Sequence, residues 1–165
     1  MSTKFFTNST GNTLFDKFKG IAADMINFDS FLAVVGFFRS SGYFKLRKEL
    51  GNVSEIKILV GINIDDIFRK HNKALLMLAD EDKAKEIYHN GFKEDIINAQ
   101  YSPEVEEGIL QMCEDLVSGR LQMRIHATKN LHAKFYLCLP QNHSEHSDGW
   151  VIMGSSNISD SGLGI

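Results

Sequence analysis

Two short sequence motifs near the C-terminal end of the chain contain polar side chains that could bind an anion. His132 and Lys134 lie in an apolar segment, Leu131 to Leu139, that is predicted as a strand. Residues two apart on a strand point to the same face, so the imidazole and the ammonium are expected side by side. Gly154-Ser155-Ser156-Asn157 ends the next predicted strand. Adjacent strands would then bring a nucleophile, a cation, a hydroxyl and an amide to one anion-sized patch.

The elements before these residues predict an α/β unit. Thr13 to Asn27 has apolar residues at helical spacing, with Thr13 as an N-cap and an acidic residue three positions later. Ser30 to Phe38 is a short, almost wholly apolar run, typical of a strand buried on both faces. A helix from Ser40 to Leu50 and a strand from Glu55 to Ile62 follow it. This strand–helix–strand order predicts a parallel pair with a right-handed crossover.

The rest of the chain predicts a helical block and then strands. Residues 64–119 are expected to be helical in two or three pieces, the last being Glu104 to Ser118. Strands are expected at Leu121 to His126, Leu131 to Leu139 and Gly149 to Gly154, with an exposed loop before the last one. We therefore predict one α/β domain over residues 1–165, with a loose lead-in at 1–12 and motif strands at 120–165. Its mixed sheet is expected between helices, as an α-β-α sandwich.

Composition excludes several classes of protein. The chain has 165 residues, 43% hydrophobic and 24% charged, which argues against a disordered or coiled-coil protein. Its formal net charge of −3 gives no overall attraction to nucleic acid, so an anion must be held by a local cluster. Lys129 and Arg124 are candidates to extend such a basic patch. Two cysteines without a pairing pattern favour a reducing cytoplasm, and neither a signal peptide nor a membrane span is predicted.

The two polar groups together resemble a known signature. His132-x-Lys134, followed some twenty residues later by Gly154-Ser155-x-Asn157, is similar to the active-site motif of the phospholipase D-like (HKD-motif) phosphodiesterase superfamily. The apolar strand running into Ser40-Ser41-Gly42 and the later Ile58-Leu59-Val60-Gly61 resemble the first half of domains in that family. The order of the elements looks most like the phospholipase D-like modules found in front of DEAD-like helicase motors in bacterial restriction or repair-type proteins.

This resemblance implies a metal-independent and cofactor-free phosphodiester transfer. His132 would attack phosphorus and form a covalent phosphohistidine, and a second motif histidine would protonate the leaving oxygen. Lys134 and Asn157 would hold the non-bridging oxygens, with Ser155 completing the anion pocket. Gly154 and Ser156 would line the substrate site. Single-motif members of the family place two copies in one active site, so a homodimer is expected. Nucleic acid is the expected substrate, with a fused or partner helicase motor.

The sequence also departs from the family pattern. The family often has an aspartate five residues after the motif lysine, and Leu139 stands there. Many members have an acidic residue shortly after the Gly-Leu that follows the asparagine. Gly162-Leu163 is present, but the sequence ends at Ile165, so we expect the 165 residues to be a piece of a longer protein.

Other interpretations remain open. A non-catalytic module could use the same pocket to hold a phosphate of DNA for a fused motor, and a lipid phosphodiesterase is a third option. His71-Asn72-Lys73 repeats the His-x-Lys spacing, but on a predicted helix its side chains diverge, so it is interpreted as surface. Four residues of the polar loop have metal-ligating types, although a mobile loop at the mouth of the cleft is favoured over a metal site: His143, Glu145, His146 and Asp148.

Overall fold

The computed structural model describes residues 5–25, 27–51, 53–61, 102–126 and 131–165. Four helices are present in these ranges: α1 (Leu14–Asp24), α2 (Ser40–Leu50), α3 (Pro103–Val117) and α4 (Asp160–Leu163). Five strands accompany them: β1 (Phe28–Val35), β2 (Glu55–Gly61), β3 (Leu121–His126), β4 (Phe135–Pro140) and β5 (Trp150–Met153). The strands form a single mixed sheet, so the predicted mixed α/β class is confirmed.

The order of the strands in the sheet is β3-β2-β1-β4-β5. β1, β2 and β3 are parallel, as the strand–helix–strand pattern predicted, whereas β4 runs antiparallel to both β1 and β5. The C-terminal ends of β1, β2, β3 and β5 therefore meet the N-terminal end of β4 at one edge of the sheet. The two polar motifs, His132-x-Lys134 and Gly154-Ser155-x-Asn157, both lie at this edge.

One face of the sheet forms the hydrophobic core with the described helices. Alternate strand residues point to this face and pair across the strands, as Phe31 does with Ile56 and Cys138. Helices α1, α2, α3 and α4 contribute Leu14, Phe18, Leu46, Met112 and Leu163 to the same cluster. The other face of β1 is only half-buried, at Leu32 and Val34. The prediction that β1 is buried on both faces is therefore wrong for the described residues.

Local chemistry explains where the helices start. Thr13 and Asp16 form a reciprocal capping box at the start of α1, as the sequence predicted. Ser102 caps α3 through a hydrogen bond to the N–H of Val105, and Pro103 occupies the first turn, where its missing N–H costs nothing. The helix predicted from Glu104 to Ser118 therefore begins one residue earlier, at Pro103, and ends at Val117.

Two strand boundaries differ from the predictions. β1 ends at Val35, and Phe38 beyond it forms only an isolated bridge to Ile158. β4 begins at Phe135, so His132 and Lys134 precede the strand instead of lying inside it. The last pair of the β1–β4 ladder is Val34 with Phe135. Before Phe135 the chain therefore leaves the β1–β4 ladder.

Several predictions fall outside the described residues. These are the first part of the helical block, the His71–Lys73 pair and the position of Lys129. Across the ranges that the structure does describe, no helix is long and apolar enough to cross a membrane.

Candidate functional site

Lys134 is a buried cation at the edge of the sheet where the strand ends meet. It has the same parity as Tyr136 and Cys138, the inward-facing residues of β4, and its residue exposure is only 5%. Burial lowers the pKa of the Lys134 ammonium below its ordinary value. No carboxylate within the described ranges pairs with it, and its hydrogen-bond partners there are the ring and the backbone carbonyl of His132.

His132, which provides both of these partners, is exposed. Nζ of Lys134 lies 2.9 Å from Nδ1 of His132 and donates to the backbone carbonyl of the same residue at 2.8 Å. The predicted side-by-side placement of imidazole and ammonium is therefore realised, but by direct contact. The expected spacing of two side chains along a flat strand is not what brings them together.

Asn157 reaches the same place from the turn after β5. Its Oδ1 accepts a hydrogen bond of 3.0 Å from the backbone N–H of Phe37, just past the end of β1. This contact directs the amide oxygen toward β1. A side chain at Gly36 would have its Cβ 3.4 Å from Nζ of Lys134 and 3.5 Å from Oδ1 of Asn157. Gly36 thus marks the point where the two polar side chains converge.

The glycine and serines before Asn157 have separate surroundings. The N–H of Gly154 donates to the Lys134 carbonyl at 3.2 Å, which extends the β4–β5 ladder by one step. The ring of Phe6 lies against Gly154, where a Cβ would be 3.1 Å from it. Ser156 is buried and its carbonyl accepts from the hydroxyl of Tyr136 at 2.5 Å. Ser155 is exposed beside them.

The predicted basic patch is not assembled from Arg124 in this structure. Arg124 is exposed and lies on the face of the sheet opposite the core, whereas Lys134 has core-face parity. Arg124 lines a cavity of about 440 Å³ on that outer face, together with Phe135 and Leu137. Lys129, the other predicted contributor, lies outside the described residues.

The polar loop between β4 and β5 is exposed, as predicted. His146 lies 3.5 Å from Glu145 in an exposed contact, and Nδ1 of His143 lies 2.9 Å from the hydroxyl of Ser147. In the parts of the chain that the structure describes, no group of three or more His, Cys, Asp or Glu residues is arranged to hold a metal ion.

Three backbone positions of the site were missed by sequence reasoning. They are Gly36, the N–H of Phe37 and the carbonyl of Leu131, which lies against both Gly36 and Gly61. A glycine directly after a buried parallel strand was the available signal, because ligands of open α/β sheets bind beyond the carboxyl ends of the strands. A hydrogen bond between residues 120 positions apart has no signal in a single sequence.

The cluster combines an exposed imidazole, a buried ammonium beneath it and a fixed carboxamide. These groups can donate hydrogen bonds to the oxygens of a tetrahedral oxyanion. No protein-family model matches the chain, and no curated protein is significantly similar to it in sequence. The interpretation of this cluster therefore depends on its geometry and on the motif resemblance.

Proposed function

We propose that the chain is a metal-independent phosphodiesterase module of the phospholipase D-like type, acting on nucleic acid. The observation that carries this proposal is that His132 and Lys134, just before β4, and Asn157, in the turn after β5, converge beside Gly36 at one edge of the sheet. A phosphodiester needs a nucleophile or proton donor at its exposed side and donors for its non-bridging oxygens. His132 supplies the first, and Lys134 with Asn157 supplies the others.

The resemblance to the phospholipase D-like motif also supports the proposal of an active site shared between two copies of the chain. In-line displacement at phosphorus needs one group to attack and another to protonate the leaving oxygen. The described site has one imidazole, His132, and Lys134 is too buried to reach a leaving group without moving. A homodimer that brings two copies of His132 together would supply both roles. A helicase motor, fused or separate, is the proposed partner.

A second candidate function is a phosphate-binding module that does not cleave its ligand. The contact of Lys134 with Nδ1 of His132 favours this candidate. In a nucleophilic mechanism, Nδ1 would donate to an acceptor that orients the ring, whereas here it faces the ammonium of Lys134. In this candidate, the cluster holds a phosphate of DNA while a motor acts on the strand. Lipid phosphodiesters are a third substrate class, and headgroup release from vesicles would distinguish it.

The test is hydrolysis of bis(p-nitrophenyl) phosphate and of single-stranded DNA in excess EDTA. The proteins compared are the wild-type chain, His132→Ala and the matched control His146→Ala, whose imidazole lies in the exposed loop. Chelator-resistant turnover that is lost in His132→Ala and kept in the control would support the phosphodiesterase. Turnover that survives in His132→Ala, or that stops in EDTA, would contradict it.

Binding of DNA without turnover would instead support the second candidate. Phosphate contacts make such binding fall steeply with salt, so the affinity should drop by about tenfold or more between 50 and 200 mM salt for several contacts. His132→Asn should preserve much of this binding. Sedimentation equilibrium tests whether the chain forms a dimer. A specific activity that does not change with protein concentration in a monomeric sample would contradict the shared site.

A further inference from the structure

The Lys134–His132 contact sets which nitrogen of the imidazole carries the proton. An ammonium has three donors and no acceptor, so Nδ1 of His132 must accept at the observed 2.9 Å. A neutral imidazole that accepts at Nδ1 carries its proton at Nε2. The second hydrogen bond from Nζ to the carbonyl of His132 keeps the ammonium in place against the same residue.

Exposure shows which side of this pair meets a ligand first. His132 is exposed, whereas Lys134 is 5% exposed. Gly36 and the Leu131 carbonyl close the site from the side of the strand ends. An arriving oxyanion therefore meets the imidazole before the ammonium.

We propose that, in the ligand-free chain, Lys134 positions the imidazole of His132 as a hydrogen-bond donor at Nε2, so that the resting site can receive an oxyanion but does not attack it. In this state, neither ring nitrogen of His132 can act as a nucleophile. The lone pair at Nδ1 is occupied by Nζ, and the lone pair at Nε2 is absent in this tautomer. The inference concerns the ligand-free chain and stands whether or not the proposed phosphodiesterase activity is found.

His143 provides the opposite arrangement within the same chain. Ser147 Oγ lies 2.9 Å from both the carbonyl of Ser144 and Nδ1 of His143, and when its hydroxyl donates to that carbonyl its oxygen accepts from Nδ1–H of His143. That tautomer leaves a lone pair at Nε2 in an exposed loop. His143 and the exposed His146 are therefore internal references for an unhindered imidazole.

The experiment is limited carbethoxylation with diethyl pyrocarbonate at pH 7, followed residue by residue by mass spectrometry. This reagent reacts with a free imidazole lone pair and needs no substrate, so its outcome is separate from any hydrolysis assay. We expect wild-type His132 to react about tenfold more slowly than His143 and His146, the effect of one hydrogen bond to a charged group. Equal rates at the three exposed histidines would overturn the proposal.

Two variants sharpen the result. Lys134→Met removes the donor and keeps an apolar stem of similar length, so the rate at His132 should rise to that of the references. Lys57→Met, on β2, is the control and should change nothing at His132. A rate at His132 that stays low in Lys134→Met, with unchanged rates at the two loop histidines, would also overturn it.

A variant-free measurement covers the case in which Lys134→Met does not fold. Two-bond ¹⁵N–¹H correlation spectra of the wild-type chain distinguish the tautomers of each histidine. The proposal expects a proton on Nε2 for His132 and on Nδ1 for His143. A Nδ1–H signal for His132 in the ligand-free chain would contradict it.

Discussion

The backbone N–H of Phe37 donates to Oδ1 of Asn157 at 3.0 Å, which ties the end of β1 to the turn after β5. The bond fixes the orientation of the carboxamide, because the oxygen is held by the backbone and the NH₂ group is left to face elsewhere. The Asn157 side chain is thereby anchored to the backbone just past the end of β1, the central strand of the sheet.

Replacing this amide by a carboxylate separates its two roles. Asn157→Asp keeps an oxygen that can accept from Phe37, so the fold should be retained. It removes the NH₂ donors and places a negative charge near Lys134, so inorganic phosphate should bind about tenfold more weakly or worse. Calorimetric titration with phosphate measures this, with Asn142→Asp in the exposed loop as the control. Unchanged affinity in Asn157→Asp would remove Asn157 from the site.

Replacing Gly36 by alanine would add a methyl group next to the polar side chains of the candidate site. A methyl group there would contact Nζ of Lys134 and Oδ1 of Asn157 at ordinary van der Waals distances, so the fold should tolerate Gly36→Ala within about 1 kcal/mol. The methyl group would hinder movement of the ammonium toward a ligand, and phosphate affinity should fall.

Gly20→Ala is the matched control for this substitution. Gly20 is exposed in α1 and a Cβ there meets nothing within 4 Å. The control should gain about 0.5–1 kcal/mol in helix stability and leave phosphate binding unchanged. Denaturant unfolding and phosphate titration of both variants provide the comparison, and equal phosphate affinities in the two proteins would contradict the role of Gly36.

Asp115 is expected to be the most sensitive polar residue of the core. It is buried in α3 and accepts from Arg47 Nε at 2.6 Å and from the hydroxyl of Tyr43 at 2.8 Å. Asp115→Ala leaves a buried guanidinium without its partner and should cost about 3–5 kcal/mol of unfolding free energy. Glu107→Ala, which removes an exposed contact to Lys48, should cost less than about 1 kcal/mol. Similar losses in the two variants would contradict this assignment.

The same network predicts how acid destabilises the protein. Burial alone would raise the pKa of Asp115, but the hydrogen bonds from Arg47 and Tyr43 outweigh it and lower the pKa below 3.8. A carboxylate with a lowered pKa in the folded state stabilises fully above its unfolded pKa, and this contribution is lost as pH falls through the folded value. Asp115→Asn should therefore lose less unfolding free energy than wild type between pH 5 and the acid range. Parallel pH profiles of the two proteins would contradict the prediction.

The two cysteines should differ sharply in reactivity. Cys138 is buried on β4, and burial raises the pKa of its thiol to about 12. Cys113 is exposed on α3. Iodoacetamide at pH 8 should label Cys113 in the native chain and Cys138 only after unfolding. Native labelling of Cys138 at a comparable rate would show that β4 opens readily.

Local sequence patterns were sufficient to predict the mixed α/β class and the three polar side chains that converge beside Gly36: His132, Lys134 and Asn157. Apolar runs of strand length and the capping box of Thr13 with Asp16 are local signals, so the order of elements and the parallel β1–β2 pair followed from them. The sequence also predicted that His132 and Lys134 lie side by side, but not by the observed contact, because the strand that was expected to carry them begins only at Phe135.

The surroundings of these side chains could not be predicted from local patterns. Burial of Lys134 and the bond from Phe37 to Asn157 depend on segments far apart in the chain meeting at one edge of the sheet. The bond between Lys134 and Nδ1 of His132 joins residues only two apart, but it forms where the chain is no longer in the strand that was expected to carry them. Spacing along a strand predicts which face a side chain occupies. It cannot predict which nitrogen of an imidazole accepts a hydrogen bond, because that is set by the three-dimensional position of the donor.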